Sequence, residues 1–110
     1  QPAIKEKIMW YHYSQNNSFG KWDIFADKGI GPNLYVEANS TEQADQFAMD
    51  LGLYFDGVEA GIDCDCCGDR WWEADEGEDK LYLSENSFLF HHEVYLHPIK
   101  GPFITVKGLR

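Results

Sequence analysis

The sequence predicts an α+β fold, an antiparallel sheet with a single helix packed on one face. Three observations predict it: short aromatic and β-branched runs near both ends of the chain, one capped amphipathic segment between them, and Gly, Pro and Asn clusters at the joints. An apolar fraction of 44% over 110 residues is that of a folded chain. That length leaves no room for a second core, so one domain spanning 1–110 is expected.

The run from Ile8 to Tyr13 is β-branched and aromatic, the polar segment Ser14 to Ser18 turns the chain, and Phe19 to Ala26 resumes the pattern, which predicts a β-hairpin. Asp27 to Asn33 contains two glycines and a proline and predicts a loop, and Leu34-Tyr35-Val36 a short strand after it. The helix is expected from Ser40 to Leu51. Asn39 or Ser40 can cap it, Glu42 or Gln43 can return the bond of a capping box, and Ala44, Phe47, Ala48 and Leu51 form one apolar stripe. Gly52 stands where a left-handed terminator is needed.

Leu53-Tyr54-Phe55 could start a strand that Asp56-Gly57 ends. Four further runs alternate like antiparallel strands: Leu81-Leu83, Phe88-Phe90, Val94-Leu96 and Phe103-Val106, with Pro98 to Pro102 as the last turn. The sheet should therefore hold about five to seven strands. The expected core is Trp10, Phe25, Tyr35, Phe47, Leu51, Phe55, Leu83, Tyr95 and Ile104. With one helix on one face, part of the other face should be closed by the cysteine segment or by a second subunit, so a homo-oligomer is one expectation.

Charge narrows the function. Nine Lys and Arg against 19 Asp and Glu give a net charge of −10, which argues against direct binding of nucleic-acid phosphates and against anionic membrane surfaces. No apolar run approaches the ~18 residues of a membrane span. Between Asp56 and Asp79 ten carboxylates face Arg70 alone, a local charge of −9. Such a run is ordinarily a solvated loop, and its sharper use is an acidic face for a basic partner or an imitation of the DNA backbone. Arg70-Trp71-Trp72 has the composition of a binding hot spot. Strand alternation would send Trp71 to one face, into the core, and Trp72 to the other.

All three cysteines lie in Cys64-Asp65-Cys66-Cys67, too close together to staple distant parts of the chain, and their odd number favours a reducing cytoplasm. Residues 1–7 show no basic segment followed by an apolar core and a small-residue cleavage site. Cys64-x-x-Cys67-Gly68 is the spacing of a zinc knuckle, in which a turn brings two thiolates to one ion. Cys66 or His97, His91, His92 and His12 would complete the set, although His91 and His92 on one strand point to opposite faces. The overlapping Asp63-x-Asp65-x-Cys67-Gly68 starts like a calcium loop and then places a thiol and Ala74 where oxygen ligands are required. Phosphate loops, nucleophile elbows and His-Glu-x-x-His helices are absent from the sequence.

The block from Gly52 to Trp71, with "YFDGV" after the capped helix, Asp63-Cys64-Asp65-Cys66-Cys67-Gly68-Asp69-Arg70-Trp71, and the later Val94-Tyr95-Leu96-His97-Pro98, resembles small bacteriophage-encoded proteins, marine ones among them, that carry no assigned activity. The similarity covers roughly Tyr35 to Phe103, the cysteine segment being its most specific part. It implies a phage accessory protein working in the host cytoplasm and assigns no catalytic residue. Asp65 departs from many zinc knuckles, which have proline after the first cysteine.

The reading that follows is a non-enzymatic module that binds a host or phage protein through Arg70, Trp71 and Trp72, with structural zinc on Cys64 and Cys67 and a further ligand from Cys66, His91 or His97. Two alternatives come from other classes. One is a small metal-dependent hydrolase whose ion keeps an open position for water, the other an acidic DNA-mimic inhibitor of a nucleic-acid-binding protein.

Overall fold

The computed structural model describes residues 8–16, 22–81, 83 and 93–107. Among them are strands β1 (Met9–Ser14) and β2 (Asn33–Ala38), helix α1 (Thr41–Leu51), and strands β3 (Val94–His97) and β4 (Ile104–Val106). They form one sheet in the order β1-β2-β3-β4 with a single helix, an α+β arrangement as expected.

Its pairing is mixed. β1 runs antiparallel to β2 and β4 antiparallel to β3, whereas β2 and β3 are parallel. The reason lies in the connection: antiparallel neighbours can be joined by a tight turn, but between Ala38 and Val94 the chain builds the helix and the acidic segment, and a crossover of that length returns it in the same direction. Four strands, not five to seven, are present among the described residues. The expected strand at Phe88-Phe90 lies outside them, as does Tyr82, while Leu81 and Leu83 are in no strand. Residues 17–21 of the expected hairpin lie outside the described residues; among the described residues β1 pairs with β2, in the register Tyr11 to Val36 and Tyr13 to Leu34. Of the segment expected to pair with it, Phe25 makes only an isolated bridge to Ile30 around a short 3-10 turn, Ala26–Lys28.

The helix forms where the sequence places it. Ser40 accepts a bond from the Gln43 amide at 3.1 Å, and the Gln43 side chain accepts from the Asn39 amide at 2.6 Å, a capping box whose return bond has slipped by one residue. Gly52 closes the helix at φ +127°, its amide shared between the carbonyls of Ala48 and Met49. Ala44 and Ala48 are fully buried, and the helix packs on β2. Small side chains let the two backbones approach, so Leu34, Val36 and Ala38 meet the helix directly.

Around that contact lie Tyr11, Tyr13, Ile30, Leu53, Trp71 and Tyr95. Of the expected core, Tyr35 and Tyr95 are buried, Trp10, Leu51, Phe55 and Leu83 half-buried, and Phe25, Phe47 and Ile104 exposed. On β1 the alternation turns Tyr11 and Tyr13 inward, which sends Trp10 and His12 to the other face. There His12 stacks on Tyr35 at 4.5 Å between ring centroids and donates to the Asn33 side chain at 2.7 Å.

Candidate functional site

The cysteine segment folds as a tight turn in which the amides of Cys67 and Gly68 both donate to the Cys64 carbonyl, at 3.2 and 3.1 Å. Gly68 takes φ +89°, a conformation that side chains disfavour. Asn16 fastens the turn to the end of β1: its side-chain amide donates to the carbonyls of Cys67 (2.7 Å) and Asp69 (3.2 Å), and its own backbone amide to the Arg70 carbonyl (2.8 Å). The result is a convergence of three sulfurs. The Sγ atoms of Cys64, Cys66 and Cys67 all lie within 4.8 Å of one another, and those of Cys66 and Cys67 are 3.7 Å apart. Cys64 and Cys66 are joined as a disulfide, and Cys67 is a free, exposed thiol.

With the Cys64–Cys66 bond reduced, the turn could present three sulfur ligands to one metal ion, Cys66 included. Among the described residues no histidine or carboxylate joins the group. His97 is buried elsewhere: its Nε2–H donates to the Gly29 carbonyl at 2.8 Å, and its ring lies against Phe47 and Phe103. As a cysteine-site ligand it is corrected, because its Nε2 is committed to Gly29 and the ring does not join the sulfur group. Burial pushes the His97 imidazole below its ordinary pKa, against the opposing pull of the Gly29 carbonyl. His91 and His92 lie outside the described residues.

Arg70 is 3% exposed, and its neighbourhood explains why the one cation of the acidic stretch is inside. Nε lies 3.1 Å from the Asp23 carboxylate and 3.8 Å from that of Asp63, and Nη1 donates to the Gln15 side chain at 2.8 Å. Asp63 also accepts from the Arg70 amide at 2.8 Å and from the Tyr54 hydroxyl at 3.0 Å. Burial, and then that bond, raise the Tyr54 pKa. Arg70 and Asp63 therefore lock the cysteine turn from its inner side. Arg70 serves the fold rather than a surface contact, and the calcium-like alternation fails at its first position.

Trp71 is 2% exposed and Trp72 54% exposed, the division that strand-like alternation predicts, although no strand forms there. Beyond them the acidic chain is tied down by Asp45 of α1, which accepts from the Ala74 amide at 2.8 Å and from the Tyr13 hydroxyl at 2.7 Å, and by mutual backbone bonds of 2.9 Å between Glu78 and Trp10. Burial and the Asp45 carboxylate hold the Tyr13 phenol well above its ordinary pKa. Of the ten carboxylates Asp63 is buried, and Asp69 turns inward to accept from the Val58 amide at 2.9 Å.

Two cavities adjoin these elements. One of about 190 Å³ lies between β2, α1 and Pro98-Ile99, with His97 and Phe47 in its wall. A wider groove of about 400 Å³ lies between the C-terminal end of α1 and the loop that precedes the cysteines. Neither contains a cysteine.

A family model described as a domain of unknown function, DUF7296, matches residues 8–109. The chain belongs to the DUF7296 family. A search of curated proteins and a search of solved structures each returned no match. In this DUF7296 chain no helix among the described residues is long and apolar enough to cross a membrane.

Several residues of consequence are invisible to motif reading. Asp45 looks like one polar position of an amphipathic helix and becomes a tie between three parts of the chain. Asp63 reads as a loop carboxylate. The signal that could have found its partner is local: a single arginine among ten acids is the group most able to be buried with its charge matched. Met49 and Ile62, at the mouth of the wider groove, carry no motif at all.

Proposed function

We propose that this protein is a non-enzymatic, protein-binding phage accessory module of the host cytoplasm, in which Cys64, Cys66 and Cys67 hold one structural zinc ion. The observation that carries the reading is the sulfur cluster. Tetrahedral zinc with Zn–S bonds of about 2.3 Å holds its sulfurs about 3.8 Å apart, and Cys66 and Cys67 already stand at 3.7 Å. The disulfide and the metal exclude one another. Two electrons and two protons from a dithiol or two thiol reductants, themselves oxidised to a disulfide, convert the Cys64–Cys66 bond to two thiols, the condition a reducing compartment maintains, and loss of the thiol protons then yields the ligands. Structural zinc requires a fourth protein ligand, for which the sequence offers His91.

What such an ion would organise supports a binding role. The turn leads directly through buried Arg70 and Trp71 to exposed Trp72, so fixing the turn fixes the presentation of an aromatic anchor. The surrounding carboxylates set partner choice and association rate.

The test is elemental analysis of protein prepared under reducing conditions without a metal-affinity step, with thermal unfolding before and after chelation. About one zinc per chain, a marked fall in Tm on chelation, and loss of metal in Cys67→Ser are expected. Protein without metal, melting identically with and without chelator, would remove the zinc.

A further inference from the structure

The groove at the end of α1 is preformed. Its inner side is buried Leu53 with half-buried Tyr54 and Phe55, and its mouth is flanked by Met49 and Ile62, which remain 45% and 53% exposed. The loop carrying Ile62 is closed on itself: the amides of Ile62 and Asp63 both donate to the Gly57 carbonyl, at 2.8 and 2.9 Å, and that of Ala60 to the Asp56 carbonyl at 2.9 Å. The loop ends on Asp63, which Arg70 and Tyr54 hold. Little ordering is therefore left for a ligand to impose.

Its electrostatics have one sign. Asp56 and Glu73 line the groove, both exposed and without an ion-pair partner among the described residues. The C-terminal end of α1 opens on it with its partial negative charge, and no basic residue stands in the last helical turn to offset that charge. Membrane headgroups and nucleic acids, both carrying phosphate, are repelled by such a site on a chain of charge −10.

Resting on the protein-binding reading above, we infer that this groove is the docking site, and that it takes a polypeptide segment with one apolar anchor side chain between lysines or arginines. The anchor occupies part of a largely apolar groove of about 400 Å³ while the flanking cations meet Asp56, Glu73 and the helix terminus.

The probe is an array of synthetic peptides of about twelve residues, each with a single Leu, Met or Phe among several Lys or Arg. Every peptide is paired with one copy carrying Glu for the cations and another carrying Ser for the anchor. Members that bind the reduced, zinc-supplemented protein should lose binding in both copies, and should bind Ile62→Ser and Glu73→Lys variants, checked for folding by circular dichroism, about fivefold or more weakly. Array members that bind no better than their Glu or Ser copies overturn the inference. Binding that survives both groove variants and vanishes in Trp72→Ala overturns the groove and keeps the module. Zinc content and the response to chelation judge the metal reading separately.

Discussion

Arg70 is the residue on which the inner side of the cysteine turn depends, and it is matched from two directions by Asp23 and Asp63. Replacing it by methionine keeps volume and strands the Asp63 carboxylate in a buried place. Arg70→Met is expected to cost about 3–5 kcal/mol in denaturant unfolding. Adding Asp63→Asn should return part of that loss, because the stranded charge goes with it. A double-mutant cycle showing no coupling between the two would mean that Asp23 alone carries the arginine. Gly57 is held to glycine by the same carboxylate, since a Cβ there would overlap Asp63 and approach the Tyr54 ring. Gly57→Ala should destabilise by about 1–3 kcal/mol on the same assay. None of this is carried by residue type alone: Arg70 and Trp72 belong to one polar-aromatic motif, and only tertiary contacts decide that one is buried and the other exposed.

At the scale of elements, what is local was legible and what is distant was not. The helix is specified within its own residues by Ser40, Gln43, the two buried alanines and Gly52, so its boundaries follow from the sequence. Ser40→Ala should lower stability by about 1 kcal/mol, the usual value of such a cap. Strand pairing is specified by what lies across the sheet. Met9 to Tyr13 carries an alternation that fits any partner, and its pairing with β2 depends on Tyr11 and Tyr13 packing beside Val36 and Leu34, which are distant in the sequence. Likewise the cysteine spacing showed that sulfurs would converge but not that His97 would be used up on Gly29.

Burial against Phe47 and Phe103 gives His97 a pH signature. The folded state holds this imidazole below its unfolded value of 6.5, so the unfolded chain binds the proton more readily. Stability from His97 is thus complete above about pH 6.5 and is lost as pH falls towards its lower folded pKa. His97→Gln should flatten the slope of stability against pH in that window while leaving the slope elsewhere unchanged. An identical slope in the variant would show that other groups carry it.

For the whole molecule, charge is the term that no single contact reveals. The excess of acid over base is −10, most of it within residues 56–79, and the one cation of that stretch is buried against two carboxylates. Arg70 therefore offers no relief to the exposed carboxylates around Trp72, which repel one another across a segment held to the sheet by Glu78 and to the helix by Ala74. Surface repulsion is screened over about 8–10 Å at moderate salt, whereas the buried pairs are shielded from it. Added sodium chloride should consequently stabilise the fold. From about 20 mM to about 500 mM, Tm should rise by on the order of 2–5 °C, and neutralising Asp75 and Glu76 with Asn and Gln should shrink that rise. A Tm that falls with salt would show that attractive surface pairs outweigh the repulsion. The same screening should weaken a basic peptide in the groove while leaving zinc content untouched, so one salt series separates the charge-dependent surface from the sulfur-held turn.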